Sequence, residues 1–245
     1  MNKMFPINQE ENSIKLYNYL ESIKNNLKHE FVFLFDADRT LCEQDTSRLF
    51  NELTNIDLSR IKQGFKENGY TYSAFLANAE IYNELDLEAF ISNCKIIANQ
   101  IPLYEGVKEL FDELSDYADI WIITAGLKEI WNQILQLNNL SKNMLIGGIR
   151  EEFNDFIIGK VEKGIICDFL KKQNKTVIAF GDSDVDTLMM LKADHAVIVV
   201  NHRNNWDLIE NLKSHKSLFQ ISFKDYIHPN IIRTTFKDII QDIFK

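Results

Sequence analysis

The run Phe31-Val32-Phe33-Leu34-Phe35 contains no polar residue and stops abruptly at Asp36-Ala37-Asp38. A strand with one wet face alternates apolar and polar side chains, so an unbroken apolar run of strand length reads as a strand covered on both faces. Such strands belong to parallel sheets sandwiched between helices, and parallel neighbours need long crossover connections. The same reading puts two carboxylates at the carboxyl end of the strand, where open parallel sheets keep their ligand crevices.

The rest of the chain fits that frame. Ile14, Tyr17, Leu20, Ile23 and Leu27, spaced by three and four, predict an amphipathic lead-in helix over 13–29. From Asp45 to about Gln100 only helical patterns occur, broken at Asn68-Gly69, with Asp86 placed to cap the last helix. After Pro102 a helix to Ser115, the strand Asp119 to Ile123 and a helix opened by Thr124-Ala125-Gly126 restore βα alternation. Met144 to Ile149 and Asp155 to Val161 have the pattern of a small hairpin, and Lys163-Gly164 starts a helix to Lys172. The strand Thr176 to Phe180 runs into Gly181-Asp182-Ser183-Asp184-Val185-Asp186, then a helix over 187–192 and the strand Ala196 to Val200. The last forty or so residues, around Pro229, receive no assignment. The reading is an α/β protein: a core of residues 1–44 and 102–245, interrupted by a helical insert over 45–101.

Bulk properties narrow the function. A formal charge of -9 argues against general nucleic-acid binding, which needs a basic stripe on the phosphate backbone. The longest apolar runs have strand length, short of the roughly 20 residues that span a bilayer, and the first residues carry no apolar signal core. The expectation is a cytoplasmic protein with no membrane partner. Cys42, Cys94 and Cys167 are odd in number and widely spaced, so they read as reduced, buried thiols.

Chemistry gathers at the strand ends: Asp36 and Asp38 after the first, Thr124 and Ala125 after the second, Asp182 to Asp186 after a later one. Carboxylates from separate strands make a hard, oxygen-rich site that suits Mg²⁺ better than Zn²⁺. Without a cation and a lysine they would repel one another and rise in pKa. Lys163 and Lys160 both stand near enough in sequence to supply that lysine. No Gly-x-Gly-x-x-Gly follows the first strand, which disfavours a dinucleotide site.

In this order the residues resemble the haloacid dehalogenase superfamily and, within it, the phosphoserine-phosphatase-like branch. The likeness runs from about Phe31 to Asn201. It rests on Asp36-x-Asp38-x-Thr40, on Thr124, on Lys163, and on Gly181-Asp182-Ser183-x-x-Asp186. The resemblance implies a Rossmann-like parallel-sheet core with an α-helical cap inserted after the first strand. It also implies Mg²⁺-dependent hydrolysis of a small phosphorylated metabolite. Asp36 would be the nucleophile and Asp38 the acid/base, with Thr124, Ala125 and Lys163 on the phosphate. The metal would take Asp36, the Asp38 carbonyl and Asp182, supported by Thr40 and Asp186.

Asp45 stands where relatives read a substrate amine, or caps a helix. Arg39 replaces a common glycine and is the other candidate for specificity. His202 and Arg203 follow a strand end, within reach of substrate or in an exposed loop. The chain has no counterpart over 75–84 of the cap arginine that grips a carboxylate in phosphoserine phosphatases, so the resemblance does not carry phosphoserine as substrate. Two alternatives stay open: a phosphotransferase or phosphomutase using the same residues, and a catalytically silent binding module on the same scaffold.

Overall fold

A computed structural model describes residues 5–150, 152–200, 205–223 and 227–244. Seven strands form one sheet: β1 Phe31–Asp36, β2 Ala118–Thr124, β3 Met144–Gly147, β4 Thr176–Gly181, β5 His195–Val200, β6 Leu218–Ser222 and β7 Ile232–Thr234. Their order is β3-β2-β1-β4-β5-β6-β7, and every adjacent pair is parallel. Phe33 and Phe35 face one apolar layer while Val32 and Leu34 face the other, and β4 repeats the division with Ile178 and Phe180 against Val177 and Ala179. Coverage on both faces is the reason β1 tolerates no polar residue before its end.

The helices are α1 Gln9–Ile23, α2 Thr46–Thr54, α3 Leu58–Asn68, α4 Tyr72–Asn83, α5 Leu87–Ala98, α6 Val107–Leu114, α7 Lys128–Leu137, α8 Lys160–Lys172, α9 Thr187–Lys192, α10 Asn205–Leu212 and α11 Ile239–Ile243. Between β1 and β2 the chain makes only helices, α2 to α6, where the sequence predicted a helical insert over 45–101 followed by one core helix. Asp86 caps α5 by accepting from the Ala89 amide at 2.9 Å. No helix among the described residues is long and apolar enough to cross a membrane. Cys42, Cys94 and Cys167 are free and buried.

Chain order reverses at β1: β2 and β3 lie to one side, β4 to β7 to the other. This switch point opens a crevice between the carboxyl ends of β1 and β4, and the acidic segments of the sequence end there.

Three expectations are corrected. The lead-in helix starts earlier and buries Asn12, Leu16 and Leu20, leaving Ile14 and Tyr17 exposed. With 3.6 residues per turn a row of threes drifts off the face, whereas the row of fours stays on it. The hairpin does not form. Met144–Gly147 pairs only with β2, while Phe156, Ile157 and Ile158 are buried in irregular chain. Asn12 takes the place of a strand partner, accepting from the Ile157 amide at 2.8 Å and donating to the Ile157 carbonyl at 2.9 Å. The Lys163 helix begins at Lys160, one turn before the predicted start. The unassigned tail supplies β6, β7 and α11, and His202 and Arg203 lie outside the described residues.

Candidate active site

β1 ends at Asp36, which is 7 % exposed, and the chain then turns tightly, with the Leu41 amide on the Ala37 carbonyl at 2.9 Å. The turn brings Thr40 back so that its hydroxyl donates to Asp36 Oδ2 at 3.0 Å. Across the switch point β4 ends at Gly181, followed by Asp182 and a short 3₁₀ turn containing Asp186. A Cβ on Gly181 would sit 2.5 Å from the Asp186 Cβ, so only glycine lets this strand end and turn approach so closely.

Asp36, Asp182 and Asp186 are all buried, with carboxylate oxygens within 4.8 Å of one another. Lys163, 1 % exposed on the first turn of α8, donates to Asp36 Oδ1 and to Asp186 Oδ1. Both Asp186 oxygens are engaged: Oδ1 by Lys163 at 2.6 Å, Oδ2 by the Asp182 and Ser183 amides at 3.1 Å each. Asp186 thus ties Lys163 to the turn after β4, and Asp36 is held in the same way between Lys163 and the Thr40 hydroxyl. Lys160 points elsewhere and pairs with Asp184 at 2.8 Å. That separates the two lysines the sequence left open.

The electrostatics follow from this crowding. Burial, then the charge of Asp186, push Asp36 up to about 6, with Lys163 pulling the other way. Burial, then Asp36 and Asp186, hold Asp182 well above the usual carboxylate range. Burial alone would lower the Lys163 pKa, but Asp186 and Asp36 outweigh it and raise it. One buried ammonium among three carboxylates leaves net negative charge in a low-dielectric crevice, and hard oxygen donors in that state suit a divalent cation such as Mg²⁺. The donor set thus fits the metal that the sequence implied.

Asp38 lies outside the triad. Its Oδ1 accepts from the Thr46 hydroxyl at 2.7 Å and from the Trp131 indole N–H at 2.8 Å. Burial, then the charge of Asp45, push its carboxyl up to about 7, against those two hydrogen bonds. Thr124 is 1 % exposed at the end of β2, and its Oγ1 accepts from the Gly126 amide at 3.0 Å. Arg39 has φ 61 and its guanidinium reaches Asp45 at 2.8 Å. Asp45 also caps α2 through the Arg48 amide at 3.0 Å, so it fills the capping role and faces Arg39 as well.

A cavity of about 190 Å³ joins these groups: Asp36, Asp38, Arg39, Asp45, Thr124, Ala125, Lys163 and Asp182 all line it. It is smaller than the roughly 300–1,000 Å³ of drug-sized ligand sites. Sequence reading missed Tyr70 on its wall, Trp131 and Thr46 behind Asp38, and Asn205, whose amide donates to the Asp182 carbonyl. None carries a local signal: Trp131, Thr46 and Asn205 lie in helices, where they read as packing or surface, and Tyr70 sits in the turn between α3 and α4.

The family model of haloacid dehalogenase-like hydrolases matches residues 32–194. No curated protein matches the sequence. Among solved structures, a phospho-aspartyl intermediate analogue of phosphoserine phosphatase is 17% identical and covers 88% of this chain and 100% of its own, with a TM-score of 0.60. A substrate-bound phosphoserine phosphatase complex is 16% identical over 88% of this chain and 99% of its own, at 0.58. A predicted phosphatase from Clostridium acetobutylicum is 18% identical over 89% and 99%, at 0.52. At such identities the likeness is one of fold.

Proposed function

Because the chain belongs to the haloacid dehalogenase-like hydrolase family, we propose that it is a Mg²⁺-dependent phosphatase of a small phosphate monoester, working through an aspartyl-phosphate at Asp36. The observation that carries the reading is the convergence of Asp36, Asp182 and Asp186 within 4.8 Å, with the Lys163 ammonium on two of them.

A carboxylate needs no deprotonation to act as nucleophile, so an oxygen of Asp36 attacks phosphorus directly and the ester P–O bond breaks. Asp38 protonates the departing alkoxide, and its raised pKa of about 7 keeps a protonated fraction available near neutrality. Water then attacks the aspartyl-phosphate and gives its proton to Asp38, releasing inorganic phosphate and restoring Asp36. Thr124, the backbone at Ala125 and Lys163 hold the phosphoryl oxygens where charge develops. Asp36, Asp182 and the Asp38 carbonyl would hold Mg²⁺, which when bound neutralises negative charge on the phosphoryl group. Thr40 and Asp186 keep Asp36 and Lys163 in register.

Helices α2 to α5 serve as the cap, with 45–101 as its extent, and Asp45 and Arg39 read the organic part of the ester. The small cavity supports a metabolite-sized substrate. Its walls give no cap arginine, which supports an ester other than phosphoserine.

The test is a panel of small phosphate esters, including ethyl phosphate and acetyl phosphate, assayed for inorganic phosphate with and without Mg²⁺. Wild type should turn over part of the panel only with metal, and Asp36→Asn should lose about a thousandfold or more. Turnover that survives chelation, or an undiminished Asp36→Asn enzyme, would sink the reading.

A further inference from the structure

Asp38 has two oxygens in different surroundings. Oδ1 takes two hydrogen bonds, from the Thr46 hydroxyl at 2.7 Å and from the Trp131 indole at 2.8 Å. Oδ2 lies on the side of the phosphate loop. A Cβ built on Gly126 would be 3.3 Å from Asp38 Oδ2 and 3.4 Å from Thr124 Oγ1, so both oxygens border the same point. The two donors come from distant segments of the chain. Thr46 is the first residue of α2, in the insertion, and Trp131 is on the first turn of α7, the helix that follows β2.

Trp131 is completely buried and is among the largest side chains in the interior. For packing alone, phenylalanine would fill the site without a polar atom to satisfy, since a buried indole N–H demands a partner. Here the partner is Asp38, a carboxylate of the crevice that belongs to neither the triad nor the Lys163 network. An oxygen that already accepts two hydrogen bonds is poorly placed to carry the proton as well, whereas the opposite oxygen is open to the cavity.

We propose that Trp131 is a positioning residue of the phosphatase reaction: with Thr46 it pins Asp38 Oδ1, so that Oδ2 alone exchanges the proton with the leaving group and with water. In the first half-reaction the Asp36–phosphorus bond forms, the ester bond breaks, and the proton on Oδ2 passes to the alkoxide. In the second, the water–phosphorus bond forms, the Asp36–phosphorus bond breaks, and a water proton returns to Oδ2. The inference rests on the phosphatase reading, and its signature is a dependence on the leaving group. Ethoxide needs that proton and acetate does not, so loss of Trp131 should penalise ethyl phosphate far more than acetyl phosphate, which is of similar size.

The experiment compares kcat/KM for ethyl phosphate and acetyl phosphate in wild type, Trp131→Phe, Thr46→Val and Asp38→Asn, with Trp206→Phe, an exposed residue of α10, as control. The ratio of the two kcat/KM values reports protonation up to aspartyl-phosphate formation, and a general folding defect leaves it unmoved. Trp131→Phe and Thr46→Val should each lower the ethyl-to-acetyl ratio by about tenfold or more, and Asp38→Asn by more still, while Trp206→Phe keeps it. Should Trp131→Phe not fold, the Thr46→Val ratio decides, because that hydroxyl serves the same oxygen. If Asp38→Asn collapses the ratio while Trp131→Phe and Thr46→Val lower both substrates in parallel, or neither, the positioning role is overturned and the phosphatase stands. A shift in the Trp206→Phe ratio overturns it too. A wild type silent on the whole panel overturns the phosphatase reading beneath it.

Discussion

The floor and the roof of the crevice are built on opposite principles. In the floor Asp36, Asp182, Asp186 and Lys163 are at most 7 % exposed, and each is fixed by a strand end, a tight turn or a helix start. In the roof α3 has no buried residue, and Tyr70, which lines the cavity, is 54 % exposed and rests its ring near Phe65 and Phe75. The far side of the insertion is tied down better. Arg150 donates to the Tyr82 and Leu85 carbonyls at 3.2 and 2.9 Å and lies over the Phe90 ring, and the Tyr72 hydroxyl donates to the Pro6 carbonyl at 2.6 Å. The chemistry thus sits on the least deformable part of the molecule, and the group beside the substrate on the most deformable.

The largest effect expected of this contrast is in the floor. Lys163→Met leaves Asp36 and Asp186 facing each other without the ammonium, and breaking a buried pair from one side costs about 3–5 kcal/mol. Urea unfolding at pH 8 should show that loss, together with activity reduced about a thousandfold. A Lys163→Met protein as stable as wild type would make the floor no more demanding than the roof.

Next comes pH. Asp36 at about 6 and Asp38 at about 7, with Asp182 also raised, stand above the unfolded value of about 3.9, so between those limits the folded state binds more protons than the unfolded one. The metal-free protein should therefore lose stability as pH rises above about 4 and through the range of about 6 to 7 where Asp36 and Asp38 titrate. Thermal melts in chelator should show Tm lower by about 5 °C or more at pH 8 than at pH 5. Mg²⁺ at about a hundredfold over its Kd should add about 2.7 kcal/mol at pH 8 and much less at pH 5, where protons occupy the same oxygens. A flat metal-free profile would mean the triad carries no excess charge.

In the roof the response is smaller and of another kind. Tyr70→Ala should change stability by no more than about 0.5 kcal/mol, being an exposed residue outside any buried network. It should raise KM about three- to tenfold with kcat little changed, as expected when only substrate binding is trimmed. A fall in kcat with constant KM would move Tyr70 from the roof into the chemistry.

The same division governed what the sequence could tell. The floor was readable because each part is a short local pattern: an apolar run ending in Asp36, a glycine before Asp182, a lysine at a helix start. Parts held by distant partners were not. Phe156 to Ile158 looked like a strand, but the Ile157 backbone is satisfied by Asn12, which lies 145 residues away in sequence. Trp131 reads as helix core in any local window, and only the fold shows its N–H on Asp38. Strands β6 and β7 are short, with β7 at the sheet edge, and the turns around Pro229 obscure their pattern.

A stability effect in which two contributions oppose each other is expected where floor and roof meet, at Arg39. Four non-glycine residues among the described ones have positive φ, and the other three, Asn55, Asn139 and Asn174, are asparagines, which accept that conformation readily. Arg39 does not, and strain of this kind is relieved by glycine to the extent of about 1 kcal/mol. Against that stands its ion pair with Asp45, about a third exposed on both sides and worth about 0–1 kcal/mol. Arg39→Gly should therefore leave stability within about 1 kcal/mol of wild type, a Tm shift of about 2–4 °C at most. Stability then gives no reason for an arginine on the cavity wall. Its charge is left as the reason, and KM for esters with a second anionic group should rise in the variant more than KM for esters without one. Equal KM changes for the two classes would return Arg39 to the role of a strained partner for Asp45.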